Sequence, residues 1–216
     1  RIYFEDQTIN YYSEELNELT EYTLISNDPV TNCVYYEDEV KIHVTSEFDN
    51  CNLIKLISLL NNKQGFSKWF PFISKSKNLK SFSKTKSIYF IESEIPIIQD
   101  RELYLFGFIS NQILNKGKIL FINRSVDNVD IFKNDYKENI SLDNERLFSP
   151  SIVFEITIKS ENCFVLTMFV DLFHKLKFND IQLVEIIIKQ ISKKIFSAIY
   201  DQINLETSKN KKINDD

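Results

Sequence analysis

The chain has 216 residues, of which 43% are hydrophobic and 26% charged, so it can fold as one domain with a substantial core. Its net charge of -5 argues against a protein that binds nucleic acid through the phosphate backbone, because such binding needs a basic surface. None of the three glycines forms a GxG or GxxxxGK pattern, which excludes the Rossmann fingerprint and the P-loop. We expect a single domain over residues 1–206 and a polar tail over 207–216.

Metal and disulfide chemistry find little support in the sequence. Cys33, Cys51 and Cys163 are far apart and odd in number, so they predict neither a disulfide framework nor a zinc site. With His43 and His174 as the only histidines, a multi-histidine metal site is impossible, and each is best interpreted as a core or surface residue. We expect no metal, no cofactor and no catalytic residue.

The location of the protein is weakly constrained by its sequence. No apolar run approaches the roughly 20 residues that a membrane-spanning helix needs. The chain begins at Arg1 without a methionine, so we expect a piece of a longer protein whose targeting signals or further domains could precede it. We predict a cytoplasmic monomer, with peripheral attachment to membranes as an open alternative.

The first third of the chain predicts a short acidic helix, a three-stranded meander and two helical segments. In chain order these are a helix at 13–19, strands at 22–26, 33–36 and 40–48, a helix at 53–60 capped by Asp49 and Asn50, and a helical turn at 65–69.

The middle of the chain predicts a run of strands. These lie at 79–83, 87–95, 102–109, 118–126, 151–159 and 163–172. Most turns between them are short and polar, and strands joined by short turns pair antiparallel. Only the segment 127–146 is long enough for a parallel crossover, and its composition is that of a loop. The sheet is therefore predicted to be mostly or wholly antiparallel.

A long helix of about seven turns is predicted to follow the last strand, capped by Asn179 and Asp180. Its apolar stripe includes Ile187 and Ile191, and charged residues occupy the opposite side. A helix of this kind must bury its stripe, and the concave side of the preceding sheet is the expected partner.

Several motifs in this order resemble the START family of lipid-transfer domains over about residues 20–204. Trp69 stands where that family has a tryptophan after its second helix, although Phe70 replaces the usual aspartate. The strand 87–90, the loop proline Pro96 and the strand from Arg101 are similar to a family strand, proline loop and Arg-Asp-aromatic strand, with glutamate for aspartate at position 102. The segment 118–126, which ends in Ser-Val, is similar to the next family strand.

The resemblance implies an α+β helix-grip fold, in which a curved antiparallel sheet wraps around the long C-terminal helix and encloses an apolar cavity. It also implies that Arg101 lies in that cavity and contacts a ligand phosphate or a carboxylate. By itself, the sequence suggests that Arg101 pairs with Glu92 or Glu94 across the loop 95–100. The alternative is that all three are charges at the rim of a strand end. A glycosidase-like pair is disfavoured because Glu92 and Glu94 share one face of one strand.

The predicted cavity lining consists of aromatic and aliphatic side chains on several elements. Besides Arg101, Glu92 and Glu94, the candidates are Trp69, Phe90, Tyr104, Phe106, Phe121, Phe154, Ile187 and Ile191. A coding bias towards Phe and Ile would inflate these numbers without any pocket. The apolar loop residues Ile95, Pro96, Ile97 and Ile98 are predicted to form a lid, and the loop 127–146 is the alternative route for a ligand.

The resulting hypothesis is non-enzymatic binding of a phospholipid or sterol and its transfer between membranes. The alternatives are a protein-interaction or regulatory module with a small cavity and, less favoured, an enzyme like the polyketide cyclases. The expected partners are the lipid and, transiently, a membrane surface, and not nucleic acid. A lysine-rich stretch from Lys75 to Lys86 could meet an anionic membrane, or it could be a solvated strand edge.

Overall fold

In the computed structural model, residues 30–36, 39–94, 100–126, 145–173 and 181–204 are described. The predicted helix at 13–19, the predicted strand at 22–26 and the tail at 207–216 lie outside these residues. Within them, nine strands form one sheet. The strands are β1 (Val30–Tyr36), β2 (Glu39–Phe48), β3 (Ile73–Ser83), β4 (Lys86–Ser93), β5 (Arg101–Gln112), β6 (Lys118–Ser125), β7 (Glu145–Arg146), β8 (Phe148–Ile158) and β9 (Phe164–Phe173).

The strand order is β1-β2-β9-β8-β6-β5-β4-β3, and every neighbouring pair along this path is antiparallel. The predicted antiparallel sheet is thus confirmed. β7 is an exception, since it pairs in parallel with the start of β5, where Arg101 faces Glu145. β7 falls at the end of the segment 127–146, which the sequence predicts to be a loop. A strand of two residues is too short to be recognised from a sequence pattern.

Helical segments join or follow the strands at four places in the described residues. They are α1 (Leu53–Asn61), a short 3-10 turn (Lys63–Gly65) leading into α2 (Phe66–Trp69), α3 (Ile113–Lys116) and α4 (Ile181–Ile203). The cap of α1 differs from the prediction. Asn52, and not Asp49 or Asn50, caps the helix, because its side chain accepts the Lys55 amide at 2.9 Å. Asn50 instead adopts a left-handed conformation with φ 53°.

The inner face of the sheet is the one that α4 packs against. Ile195, Ile199 and Ile203 of α4 share a buried cluster with inner side chains such as Phe121 and Leu166. α4 contacts β1 and β2 as well as α1 and α2. The helix therefore packs against both the sheet and the two shorter helices.

The outer face of the sheet is also buried. Ile122, Val153 and Phe169 point away from α4, and each has an exposed fraction of 0%. Strands that are covered on both faces carry nearly continuous apolar runs in place of an alternating pattern. The pattern of apolar and polar residues in the sequence therefore could not reveal which side chains face inward.

β3 forms one edge of the sheet and is longer than predicted, since it begins at Ile73 and not at Leu79. Its first half alternates serine and lysine, a composition that protects an exposed strand edge from pairing with other chains but that weakens the strand signal. No helix among the described residues is both long enough and apolar enough to cross a lipid bilayer.

Candidate functional site

Packing along the inner face is tight at one end. Phe48 and Phe164 are 3% and 0% exposed, and their rings stack with centroids 5.5 Å apart. Phe196 of α4 lies against Phe48 at 5.9 Å, and Ile199 and Ile203 next to it are 0% exposed. The C-terminal half of α4 thus fills the space over this end of the sheet.

Packing loosens towards the other end of the same face. Ile42 of β2, Val170 of β9 and Ile152 of β8 are aligned across three neighbouring strands, and all three are half-buried. We call this set the inner row. It lies only one pleat from Val44 and Met168, which are 0% and 5% exposed. Burial thus changes from full to partial within one continuous apolar face, and the inner row is the part that is incompletely covered.

α4 and α2 contribute further half-buried apolar side chains on the same side of the sheet. Ile191 packs against the main cluster, and Ile187 lies one turn earlier on α4. Trp69 and Phe70 belong both to this cluster and to a second one under β4 and β5. The Trp69 Nε1 atom is buried and finds no hydrogen-bond acceptor within the described part of the chain.

Beyond Ile152 the aligned row continues through Asn123 of β6 and Gly107 of β5. The Asn123 side chain accepts the Tyr89 hydroxyl at 2.8 Å and donates to the Ile152 carbonyl at 3.1 Å. A Cβ at Gly107 would lie 2.5 Å from Asn123 Oδ1, so only glycine leaves room for this bridge. Burial raises the pKa of Tyr89 far above its ordinary value, so its hydroxyl stays protonated and available as a donor.

The expected ion pair between Arg101 and Glu92 is not formed. Arg101 shares the inner face with Leu103 by strand alternation and is 7% exposed. Glu92 lies on the outer face, where its carboxylate pairs with Lys75 Nζ at 3.0 Å and accepts the Ser74 hydroxyl at 2.9 Å. Arg101 is paired with Ser93 and therefore shares its face of the sheet. Glu92 is the neighbour of Ser93 on β4, and neighbouring residues of a strand point to opposite faces. The side chains of Arg101 and Glu92 therefore lie on opposite sides of the sheet.

Glu94 is exposed and lies just beyond the end of β4, as the rim interpretation expected for this residue. Of the predicted aromatic lining, Phe121, Phe154 and Trp69 lie on the inner side. Phe121 and Phe154 are 1% and 6% exposed and occupy the fully packed row beside the inner row.

Phe90, Tyr104 and Phe106 require a correction, because they face away from α4. Phe90 and Tyr104 contact each other with ring centroids 5.2 Å apart in an outer cluster, and Phe106 packs against Phe82 and Phe108. Their even positions on β4 and β5 place them opposite the inward-facing odd positions. They cannot line a space between the sheet and α4.

Lys63 is a buried residue that sequence reasoning did not single out. It is 8% exposed, and its Nζ donates to the Leu60 carbonyl at 2.6 Å. The same Nζ lies over the rings of Phe66, Tyr89 and Phe121 at 5.5 to 5.7 Å. Burial lowers the pKa of Lys63 to about 8. Its sequence neighbours, Asn62 and Gln64, gave no signal other than a helix end.

The predicted lid, Ile95, Pro96, Ile97 and Ile98, lies outside the described residues and stays a prediction. Among the residues that are described, no group of three or more His, Cys, Asp or Glu side chains is placed to hold a metal ion. His43 is a core histidine at 2% exposure, and burial lowers its pKa, partly offset by the charge of Glu155.

Comparison with known proteins rests on structure. Neither a scan against known protein families nor a search of curated proteins finds a match. Human StAR-related lipid transfer protein 5 superposes with a TM-score of 0.61 and 8% identity, over 92% of this chain and 97% of that chain. Human STARD10 superposes with a TM-score of 0.60 and 13% identity, over 86% of this chain and 78% of that chain.

The chain has the START helix-grip fold. The same fold is also found in an enzyme, the Zhui aromatase/cyclase from a Streptomyces species, which matches with a TM-score of 0.50 and 8% identity, over 75% of this chain and 92% of that chain. At identities this low, the matches establish the START fold alone. They do not choose between ligand binding and catalysis.

Proposed function

We propose that this START-fold chain binds an apolar ligand of the lipid class between the inner row and α4, and carries it between membranes without changing it chemically. The observation behind the proposal is the graded burial of the inner face. The face is filled at Phe48 and Phe164 and half-buried at Ile42, Val170 and Ile152. Aliphatic side chains in such a place favour a ligand tail over a polar substrate.

The energetics of the inner row are adequate for binding. Removal of a few hundred Å² of lipid tail from water is worth on the order of 8 kcal/mol at about 25 cal/mol per Å², before the costs of association. The half-buried side chains on the sheet and on α4 would be covered by the same ligand. Affinity would therefore come from non-directional apolar contact.

The polar groups on this face support binding better than catalysis. Asn123 is occupied on both sides by Tyr89 and by the Ile152 carbonyl, and the high pKa of Tyr89 disfavours its use as a base. Two other groups could orient the polar end of a ligand. Trp69 Nε1 is a donor at the edge of the half-buried region, and Arg101 lies on the same face. They suit a ligand with a hydrogen-bond acceptor or a phosphate.

Native mass spectrometry of the protein purified from cells tests the proposal. We expect a bound mass in the lipid range, and its replacement when the protein is incubated with vesicles of another lipid. A clean apo mass together with no uptake from vesicles would contradict lipid binding and would favour an interaction module. A bound molecule that is turned over to a new product would favour the enzyme.

Arg101→Ala tests the orientation of the ligand. We expect this change to weaken binding of a phosphate-bearing lipid about 10-fold and binding of a neutral sterol much less, since a charged hydrogen bond contributes about 1.5 kcal/mol or more. Dissociation constants for both lipids, measured alongside the free energy of unfolding, check this. Arg101→Lys, which keeps the charge, should lose less than Arg101→Ala. Equal losses for both lipids would make Arg101 a structural residue.

A further inference from the structure

A polar pocket of about 110 Å³ lies between the segment after α1 and the β3–β4 hairpin. Three asparagines, one glutamine, three serines and two lysines line it, and no carboxylate does. The Asn61 Nδ2 atom donates to the Lys84 carbonyl at 3.2 Å, and this bond ties the two walls together. The inner row does not contribute to the pocket, so it is separate from the proposed lipid site.

The chain segment that forms this pocket has a charge opposite to that of the whole chain. Residues 50–91 contain no aspartate and no glutamate, although the net charge of the chain is -5. The same segment contains eight lysines, Lys55, Lys63, Lys68, Lys75, Lys77, Lys80, Lys84 and Lys86. Every residue that lines the pocket belongs to this acid-free segment.

The nearest carboxylate along the hairpin is too far away to compete with an anion in the pocket. Glu92 lies five residues beyond Ser87 on β4, about 16 Å at the rise of a strand. It is already paired with Lys75 at 3.0 Å. Lys84, in contrast, is exposed and lines the pocket, and the side chains of Asn62, Gln64 and Ser87 add amide and hydroxyl groups to its walls. This combination attracts and solvates an anion with several acceptor oxygens.

We propose that this pocket binds a phosphate monoester, with the exposed Lys84 supplying positive charge at its wall. A monoester offers three acceptor oxygens and nearly two negative charges, which suits a polar pocket that has a lysine and no carboxylate in its lining. The pocket exceeds the roughly 30 Å³ that one water occupies, so it has room for a group larger than water. The phosphate can come from the headgroup of an anionic lipid or from a soluble compound.

This binding is independent of the carriage of a lipid on the inner face. Arg101 lies at the start of β5, whereas the β3–β4 turn near Lys84 lies beside Phe108, towards the other end of that strand. Seven residue steps along a strand span about 23 Å. The pocket would thus attach the domain to a surface from a place distant from Arg101.

Sedimentation with vesicles of stated composition tests the proposal. One set contains phosphatidylcholine with about 20 mol% phosphatidic acid, a monoester. A second set contains phosphatidylserine, which is not a monoester, at the same surface potential. Ser81→Asp places a carboxylate in the pocket and keeps an acceptor for the Asn78 amide, which now donates to Ser81 Oγ at 2.8 Å. Ser160→Asp, on an exposed turn, is the control with the same change in charge.

We expect binding to phosphatidic acid vesicles to exceed binding to phosphatidylserine vesicles, and Ser81→Asp to reduce it at least about 10-fold while Ser160→Asp leaves it unchanged. Glycerol 3-phosphate is the soluble probe. If it binds with the same dependence on Ser81 but vesicles do not bind, the pocket takes a soluble monoester and no membrane is involved. Equal binding to both vesicles with no difference between the two variants, or no binding of any probe, would overturn the proposal.

The outcome can be separated from that of lipid carriage. Ser81→Asp should leave the co-purified lipid in native mass spectra unchanged. A substitution that fills the space at the inner row, such as Ile152→Trp, should leave the binding to phosphatidic acid vesicles unchanged. Failure of either proposal would thus be visible without failure of the other.

Discussion

Ile152→Trp is expected to weaken lipid binding by about 100-fold while it changes the free energy of unfolding by less than about 1 kcal/mol. Ile152 is half-buried in the inner row, so an indole ring can extend into the space that the ligand tail would occupy. A ligand tail that had to share this space with the indole ring would lose about 3 kcal/mol of binding free energy, which is about the cost of overpacking a filled core. Lipid titrations and chemical denaturation of the same preparation provide the two numbers.

The matched control is Ile156→Trp. Ile156 lies four residues further along the same strand and on the same face. It is 0% exposed and packs in the filled cluster. We expect this change to cost about 3 kcal/mol of stability, because no space is left for the ring. If Ile152→Trp destabilised the fold as much as Ile156→Trp, the inner face would be filled at both rows and the proposed site would be lost.

Lys63→Met is expected to stabilise the protein by up to about 1 kcal/mol near pH 7. Burial lowers the pKa of Lys63 from 10.5 to about 8, so the charged amine is disfavoured in the folded state. At about 1.4 kcal/mol for each pH unit, that penalty is on the order of 3 kcal/mol. Cation–π contacts with three rings offset part of it, at about 0.5 kcal/mol or more each. Methionine keeps the length of the side chain without the charge, but it loses the hydrogen bond to the Leu60 carbonyl, which costs about 1 kcal/mol and limits the gain.

The effect depends on pH in a defined direction. Below pH 8 the amine is protonated in both the folded and the unfolded state, so the full penalty is present. Between pH 8 and 10.5 the unfolded state holds more protons, so the stability of the wild type rises with pH and the advantage of Lys63→Met shrinks. Denaturation of both proteins at several pH values measures this. A constant difference, or the same difference for the exposed Lys68→Met, would contradict a buried charged amine.

The sequence was informative where local signals and packing agreed. The long amphipathic helix and the short turns between strands predicted α4 and an antiparallel sheet, and both are present. α1 was also predicted, but its cap was placed two or three positions too early. Asp49, Asn50 and Asn52 all have side chains that can cap a helix, and only the backbone conformation decides among them.

The candidate site was harder to predict than the fold. Phe90 and Phe121 lie in equally apolar runs, yet one faces outward and the other inward, because both faces of the sheet are buried. The resemblance implied that Arg101 faces the helix side of the sheet, but only the strand register shows that Glu92 faces the opposite side. Lys63 was missed because two of the three rings that surround it, those of Tyr89 and Phe121, come from distant segments, and no local pattern records such a contact.

The central claim is that a lipid tail lies between the inner row and α4. Photo-crosslinking of a bound lipid that carries a diazirine in its tail, followed by peptide mapping, tests this most directly. We expect labelled residues on β8, β9 and α4, around Ile152, Val170 and Ile191. Labelling confined to outer-face residues such as Phe90 and Phe106, or no specific labelling in a protein that binds the lipid, would contradict the claim.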